Sequence, residues 1–596
     1  MTESPRLNTS GVLKLTIFSS GQQIDDEIQI VSVTVNKAIN KIPQAKIVLM
    51  DGDMPNQDFP VSNSDAFAPG SEIRINAGYG SSEETIFEGI IIKHGIKITG
   101  DNFSRLIIEC RDKAVAMTIG RKNANYIDAK DSDIISKLIS NYGGLNSDVE
   151  TTATQHKELV QYYCADWDFM LARAEVNGLL VCVDDGKLSI KPPGTDVSPE
   201  LKVVYGDDLM EFQADIDARS QLAEVNCATW DPNEQGVTEE NVAPQTLNQQ
   251  GDLSATELAK VVALKSYRLQ TSAMLEKSAL KDWANAQQLK SGLARIRGRM
   301  KFQGNAKAKI GSLIELDGVG NRFNGNVFVS TVTHAISNGN WLTDVDFGMS
   351  PHWFVEENDA MAPSAAGLLP GVEGLQIGVV KKLDEDPDGQ FKIQVTVPLL
   401  QAETDGVWAR LANFYASNHF GAFFVPEIGD EVVIGYLNND PSNPIVLGSV
   451  YSTKLAPPYE LTAENYTKAI VTKSQLKIEF DDEKKIITLI TPGNNQLILS
   501  DEDKSILLQD QNGNKLELNE SGILLDSPKD ISISAKGTIG IDAVGEIGIS
   551  SKADISVEGM NVNHSAKVGF VAKGNASAEL SASGQTTVKG AMVMIN

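Results

Sequence analysis

The sequence predicts a mainly β chain of several domains, ending in a strand repeat that only several copies wound together can close. Three observations carry this. Short strands with alternating apolar residues fill residues 11–110, and a compact all-β unit with five strand candidates spans 375–452. From Ile531 a two-residue period then runs almost to the last residue. At 596 residues the chain is also too long for one hydrophobic core.

In the first part, strands are expected at 13–17, 31–35, 45–49, 72–75, 87–92 and 105–110, with Asp51-Gly52 as one of the turns between them. A β-barrel or sandwich fits that pattern. Helical spacing then takes over, because Ile134, Ile135, Leu138, Ile139 and Tyr142 share one face, with Asp131 or Ser132 placed to cap its start. A second helix is expected over 167–176, followed by a hairpin of 179–183 and 187–190 turned at Asp185-Gly186. Asp166, Asp168 and Glu175 resemble an acidic active site, but acids in a first helical turn complement the helix dipole, and Glu175 is expected on a solvated face. Strands resume near Leu201, a helix follows over 278–296 with Leu280, Trp283, Leu293 and Ile296 as apolar markers, and strands return over 299–347. Residues 358–374, rich in Ala, Pro, Ser and Gly, read as a linker. The unit after it offers strands at 378–383, 391–397, 407–411, 431–437 and 445–450, a size and pattern that suit an OB-fold. Polar hairpins over 465–530 lead into the terminal repeat.

In that repeat the odd positions from Ile531 to Val557 are Ile, Val, Ala, Gly or Ser, while the even ones are mostly polar or Gly. The apolar lane then changes parity and runs through Met560, Val562, Ala566, Val568, Phe570, Ala572, Leu580, Ala582, Val588, Met592 and Met594, which places a one-residue slip near Gly559. Gly537 and Gly545 stand eight residues apart with Ala553 in the next slot, the mark of a β-solenoid. The lane is too thin to fill a wide core, so the interior is narrow. A single copy leaves long strand edges bare, and copies wound round one axis close them.

Composition excludes several functions. The formal charge is 52 − 79 = −27, with no basic stripe to follow a phosphate backbone, so nucleic acid is not an expected partner. No basic-then-apolar leader and no apolar run long enough to cross a bilayer are visible, which suggests a soluble chain made in the cytoplasm. Cys110, Cys164, Cys182 and Cys227 lack metal-type spacing and read as buried thiols. No Walker loop, HExxH helix or GxSxG elbow occurs. Gly318-Val319-Gly320 begins like a dinucleotide loop but reads as a turn, and five of the six histidines have no ligand partner nearby in sequence. No cofactor, catalytic residue or metal site is assigned on these grounds, and the chain is read as no enzyme.

Several motifs in order carry a resemblance. Asp386-Pro387-Asp388-Gly389, Trp408-Ala409-Arg410, Phe424-Val425-Pro426-Glu427-Ile428-Gly429-Asp430-Glu431-Val432 and Pro444-Ile445-Val446-Leu447-Gly448-Ser449 resemble the OB domain of VgrG spike proteins and phage baseplate spikes. Leu159-Val160-Gln161-Tyr162, Asp166-Trp167-Asp168-Phe169, Arg173-Ala174-Glu175 and Arg322-Phe323-Asn324-Gly325 are similar to the hub half of that family. The resemblance implies a hub of tube-like β-barrels with helical insertions over 1–357, a linker over 358–374, an OB-fold over 375–456 and an intertwined trimeric β-helical needle over 465–596. It implies a homotrimer of a contractile injection machine, of the type VI secretion or phage-tail kind, that joins a hexameric inner tube to a membrane-puncturing tip. Its implied partners are the tube protein, baseplate proteins, a PAAR-type tip protein and an effector cargo. It would be cytoplasmic before firing and delivered outside the cell or into the target. The T-even lysozyme domain has no counterpart in 452–465, and no effector domain follows the needle in this sequence. A secreted β-helical enzyme or adhesin is the other reading; it predicts an export signal and a catalytic or sugar-binding cluster, neither of which is visible.

Two features of the needle remain. Gly590, Ala591, Met592, Val593, Met594, Ile595 and Asn596 leave apolar groups at the terminal layer, which either receive the tip protein or tuck into their own assembly. His564 belongs by parity to the inward lane, where the implied threefold would gather three imidazoles, either round a metal, water or anion, or hydrogen-bonded and turned away. It lacks the HxH spacing of phage spikes that hold iron, since Val562 and Ala566 flank it at two residues.

Overall fold

The computed structural model describes residues 3–6, 11–100, 103–400 and 406–595, and the chain divides into two compact units, Met1–Val450 and Tyr451–Asn596. The first unit is built on one thirteen-stranded sheet. Its path runs from Glu211–Ile216 through Ile296–Gln303, Asn340–Phe347, Gly325–Ser337, Ile30–Ala38, Gln44–Met50, Ser104–Arg111, Ser82–Ile98 and Glu72–Tyr79 to Leu13–Ser19 and the short Gln22–Gln23. The six strands expected in the first part are all present, and each expected run lies within a longer strand. The two halves of the sheet are joined where Gly325–Ser337 pairs antiparallel with Ile30–Ala38, from Thr331 opposite Ala38 to Ser337 opposite Ser32. Each half folds over its own core, with Ile17, Ile47, Phe67, Phe87 and Leu106 in one and Val203, Phe302, Leu316, Val329 and Phe347 in the other. Alternation along the strands sends every second residue inward, which is why period two was readable.

His334 sits at the join. Its Nδ1 accepts from the Trp341 indole N–H at 3.3 Å and lies 3.0 Å from Thr343 Oγ1, so that nitrogen carries no proton. The ring is buried, stands edge-on to Trp341, and burial pushes its pKa down to about 3.

Two insertions interrupt the sheet. The first holds α1 (Asp131–Ser140) and α2 (Asp166–Val176), with the hairpin Leu180–Asp184 and Lys187–Lys191 turned as expected at Asp185-Gly186. Asp131 does not cap α1; the cap position is Lys130, and Asp131 is the first helical residue, buried and held by Arg173, Asn177 and His156. Glu175 is likewise not on a solvated face. Its carboxylate is buried, pairs with Lys290 and accepts the Phe354 backbone N–H at 2.7 Å, because α2 packs against a helix of the second insertion. That insertion joins strands Val225–Asp231, Gly236–Val242 and Tyr267–Thr271 to α3 (Ala255–Val262) and α4 (Lys277–Leu293). The sequence pointed to α4 but not to α3, whose start is a capping box of Ser254 and Glu257 and whose apolar stripe is only two buried residues wide.

In the rest of the first unit, Gln376–Lys382, Lys392–Thr396, Val407–Leu411, Pro444–Ser449 and Glu431–Tyr436 close into a five-stranded barrel in that order. Val380, Ile393, Val395, Ala409, Val432, Ile434 and Val446 fill it. Gly378 is required there, since a Cβ would meet Ile434 Cδ1 at 2.3 Å. In the second unit seven five-residue strands, from Thr467–Val471 to Gly522–Asp526, form one antiparallel meander in sequence order.

The buried His334 makes the first unit pH-sensitive with a definite sign. Its folded pKa lies below the unfolded value of about 6.5, so the unfolded chain binds the proton first. Stability of the first unit is therefore expected to fall as pH drops from about 6.5 toward 3, by about 1.4 kcal/mol per pH unit. In denaturant titrations across that range, His334→Gln should remove that component of the slope; an unchanged slope counts against the assignment.

Candidate functional site

The meander of the second unit presents one face made almost entirely of aliphatic pairs. Across successive strands Ile470 opposes Ile478, Phe480 opposes Ile487, and Ile478 opposes Leu489. The ladder continues through Ile487 with Leu499, Leu489 with Leu497, Leu497 with Leu508 and Leu499 with Ile506. It ends with Ile506 and Leu518, Leu508 and Leu516, Leu516 and Leu525, and Leu518 and Ile523. Among the described residues nothing covers this face: only Leu497, Leu516 and Leu518 are even half-buried, and the other ten are exposed. Soluble chains rarely leave so long an apolar strip bare unless another surface receives it. The opposite face mixes aliphatic residues with Glu479, Thr488, Gln496, Gln509 and Glu517, which suits contact with water.

Beyond Asp530 the chain is extended, and among the described residues its amides find no strand partner. It bends at 536–537, 544–545, 552–553, 560, 567–568, 575–576, 583–584 and 591–592. The interval is eight residues except across 560, where 552 to 567 is 15 = 8 + 7. The first lane residue of each pass has the same environment: Ile531, Ile539, Ile547, Ile555 and Val562 are 50, 51, 50, 56 and 46 % exposed, at spacings of 8, 8, 8 and 7. A pass of seven residues reverses parity, so the slip inferred near Gly559 is the short pass 555–561. At the far end Gly590 to Ile595 are exposed, and Asn596 lies outside the described residues. His564 occupies the second lane position, where Ile533, Ile541, Ile549 and Val557 stand in earlier passes, and its ring stacks on Phe570 with centroids 6.0 Å apart.

The polar clusters of the first unit serve to hold its elements. Burial acts to raise the Asp131 pKa, but hydrogen bonds from His156, Arg173 and Asn177 and the Arg173 charge outweigh it and hold the carboxyl well below the usual range. Asp166 is bound by Lys122, Tyr142 and Gln161 at the start of α2. Asp168 belongs to the same first turn and is raised by burial. An open cleft of about 1240 Å³ beside the loops 19–29 and 50–66 went unread in the sequence, since loops far apart in the chain form it. Near it, His94 Nδ1 donates to the Phe67 carbonyl at 2.9 Å and Nε2 accepts from Ser62 Oγ at 2.7 Å. The Val61 and Ser62 amides, which an oxyanion beside that hydroxyl would need, are both spent on the Asp51 carboxylate. The residues of the dinucleotide-like loop lie in the turn between Leu313–Asp317 and Gly325–Ser337, as the sequence indicated. Burial pushes the thiols of Cys110 and Cys227 up to about 12 and Cys182 up to about 11, so none is poised for chemistry at neutral pH.

Residues 9–338 match the family described as the Alg8 N-terminal domain, and residues 376–451 match the type VI secretion system/phage-baseplate injector OB domain. The type VI secretion system spike protein VgrG1c of Pseudomonas aeruginosa is 28 % identical over 138 residues, 22 % of this chain and 19 % of that protein. The actin cross-linking toxin VgrG1 of Vibrio cholerae is 36 % identical over 69 residues, 12 % of this chain and 6 % of the toxin. The matched segments thus span about a fifth or less of these relatives. Among solved structures, the 43 kDa tail protein of prophage MuSo2 from Shewanella oneidensis aligns at 9 % identity and a TM-score of 0.43, covering 57 % of this chain and 98 % of its own.

The hairpins of the apolar face are pinned by polar turns. Asp510 takes the side-chain amide and backbone N–H of Asn514 and of Asn512, and these bonds hold its pKa at about 2. Asp510→Ala should speed amide exchange at Asn512 and Asn514 at neutral pH while leaving Thr488 unchanged. Unaltered exchange at that turn would show that the Asp510 carboxylate does not fix it.

Proposed function

Because this chain belongs to the family of the Alg8 N-terminal domain and carries an injector OB domain, we propose that it is the structural central spike of a contractile injection machine, working as a homotrimer. The observation that carries the proposal is the bare aliphatic ladder from Ile470 to Leu525, continued by passes of eight residues whose strand edges have no partner within the chain. Three copies provide what one lacks: each ladder packs against the other two round an axis, and each extended pass pairs with passes of its neighbours. In this reading residues 1–357 are the hub that meets the inner tube, 358–374 a linker, 375–456 a collar and 465–596 the needle.

The mechanism is mechanical. Contraction drives the rod forward, and a narrow needle concentrates that force on a small area of membrane. Rigidity comes from backbone hydrogen bonds between copies, repeated at about 4.8 Å per strand, and the polar outer lane keeps the rod from adhering to what it crosses. The terminal residues Gly590 to Asn596 receive a separate tip protein, and baseplate proteins and effector cargo are the other partners. The protein acts without catalysis, is assembled in the cytoplasm and is delivered outward on firing.

Two experiments test this. Leu489→Asp, on the apolar face, should abolish the trimer in sedimentation, while Thr488→Asp, one residue away on the other face, should leave it intact; equal behaviour of the two variants rules the packing out. Deleting residues 590–596 should leave the trimer in place and remove retention of a PAAR-type tip protein in a pull-down. Undiminished retention refutes the assigned contact.

A further inference from the structure

We infer that His564 builds a metal site on the needle axis, in which three imidazoles, one from each copy, hold a single divalent transition-metal ion. This deepens the trimer reading and rests on it. The first step is the phase of the repeat. In the passes from Ile531 to Val557 the lane residues are odd, and an unbroken repeat of eight would keep His564, an even position, on the polar side with Ser532, Ser550 and Ser556. The seven-residue pass 555–561 moves the lane to even positions, and the exposure of Val562 places it in the lane's first slot. His564 is therefore the second lane residue of its pass, in the slot that Ile533, Ile541, Ile549 and Val557 fill in the earlier passes. One missing residue turns this imidazole from solvent to the axis.

The second step is the room around it. The lane residues that follow are small for the most part, with Ala566, Ala572, Gly574, Ala576 and Ala578 in the same and later passes. Phe570 is the large exception, and its ring lies against that of His564 at 6.0 Å with 28° between the planes. A stacked contact covers a face of the imidazole and not its edge, where the nitrogens are. Rings from three copies at one level, wrapped by small side chains, form a polar pocket in an otherwise apolar lane. Burying three imidazoles there without partners costs free energy, which a shared ion removes.

The third step is the choice of ligand. Three neutral imidazoles offer lone pairs and no charge, a donor set that suits zinc, copper, nickel or cobalt and leaves a fourth position for water. Calcium and magnesium prefer oxygen donors and are not expected. An anion would take the single N–H that each neutral ring offers, and the titration below separates it from a metal held by the lone pairs.

The test uses the full chain, stripped with a chelator and titrated with cobalt(II). The expected result is one ion per three chains, with the visible absorption of a tetrahedral site, displaced by zinc and weakening in acid as protons compete for the nitrogens. His564→Leu, which restores the residue class of the earlier passes, should keep the trimer and lose the ion. A trimer that binds no cobalt, binds it without tetrahedral absorption, or binds it equally in His564→Leu overturns the site, and halide or phosphate stabilising the wild-type trimer in its place would assign the pocket to an anion. If the chain sediments as a monomer, the trimer itself fails, and that outcome is read separately from the metal.

Discussion

Backbone groups at the edge of a β-strand must find partners, and in the C-terminal unit of this chain they do not find them within one copy. The meander pairs strand to strand from Thr467 to Asp526, yet its aliphatic face is bare. Beyond Asp530 even the ladder stops, and each pass runs extended with both edges open. A chain of this kind has to be completed by another surface, and identical copies are the surface whose period of eight and lane spacing match by construction. The sheet and barrel of the first unit, by contrast, close on themselves around buried cores. The contrast between a self-sufficient first unit and an incomplete second one is what supports the proposed trimeric spike.

Much of this was legible in the sequence because period two survives wherever a sheet has one wet and one dry face. The six N-terminal strands, the five strands of the barrel and the change of parity near Gly559 were all read from alternation or from turn residues. The motif from Phe424 to Val432 pointed to the injector OB domain, and residues 376–451 match that domain. What stayed hidden depended on contacts between distant segments. Glu175 lies on a helix whose other acids are near its start, and nothing local shows that Lys290, 115 residues later, packs over it. Asp131 has the residue type of a cap, but Arg173 and Asn177 from α2 claim its carboxylate. The helix Ala255–Val262 was missed because its buried stripe is too short to stand out from the polar residues around it.

The C-terminal repeat also shows how a period is broken to some effect. Seven residues in one pass, where the others have eight, preserve the inward lane only by exchanging odd for even positions. An unbroken repeat of eight would place His564 among serines; the change of parity in the sequence, matched by the bends, places it with Ile533, Ile541 and Ile549. The buried His334 of the hub is a different case, because Trp341 and Thr343 satisfy it within one chain.

The most direct test of this account is amide hydrogen exchange over residues 531–595 of the intact protein in solution. Completion by other copies predicts slow exchange throughout that stretch, with protection recurring pass by pass and weakening only at the bends. Fast exchange, at the rate of an unpaired extended chain, would mean that these strands have no partners and would contradict it.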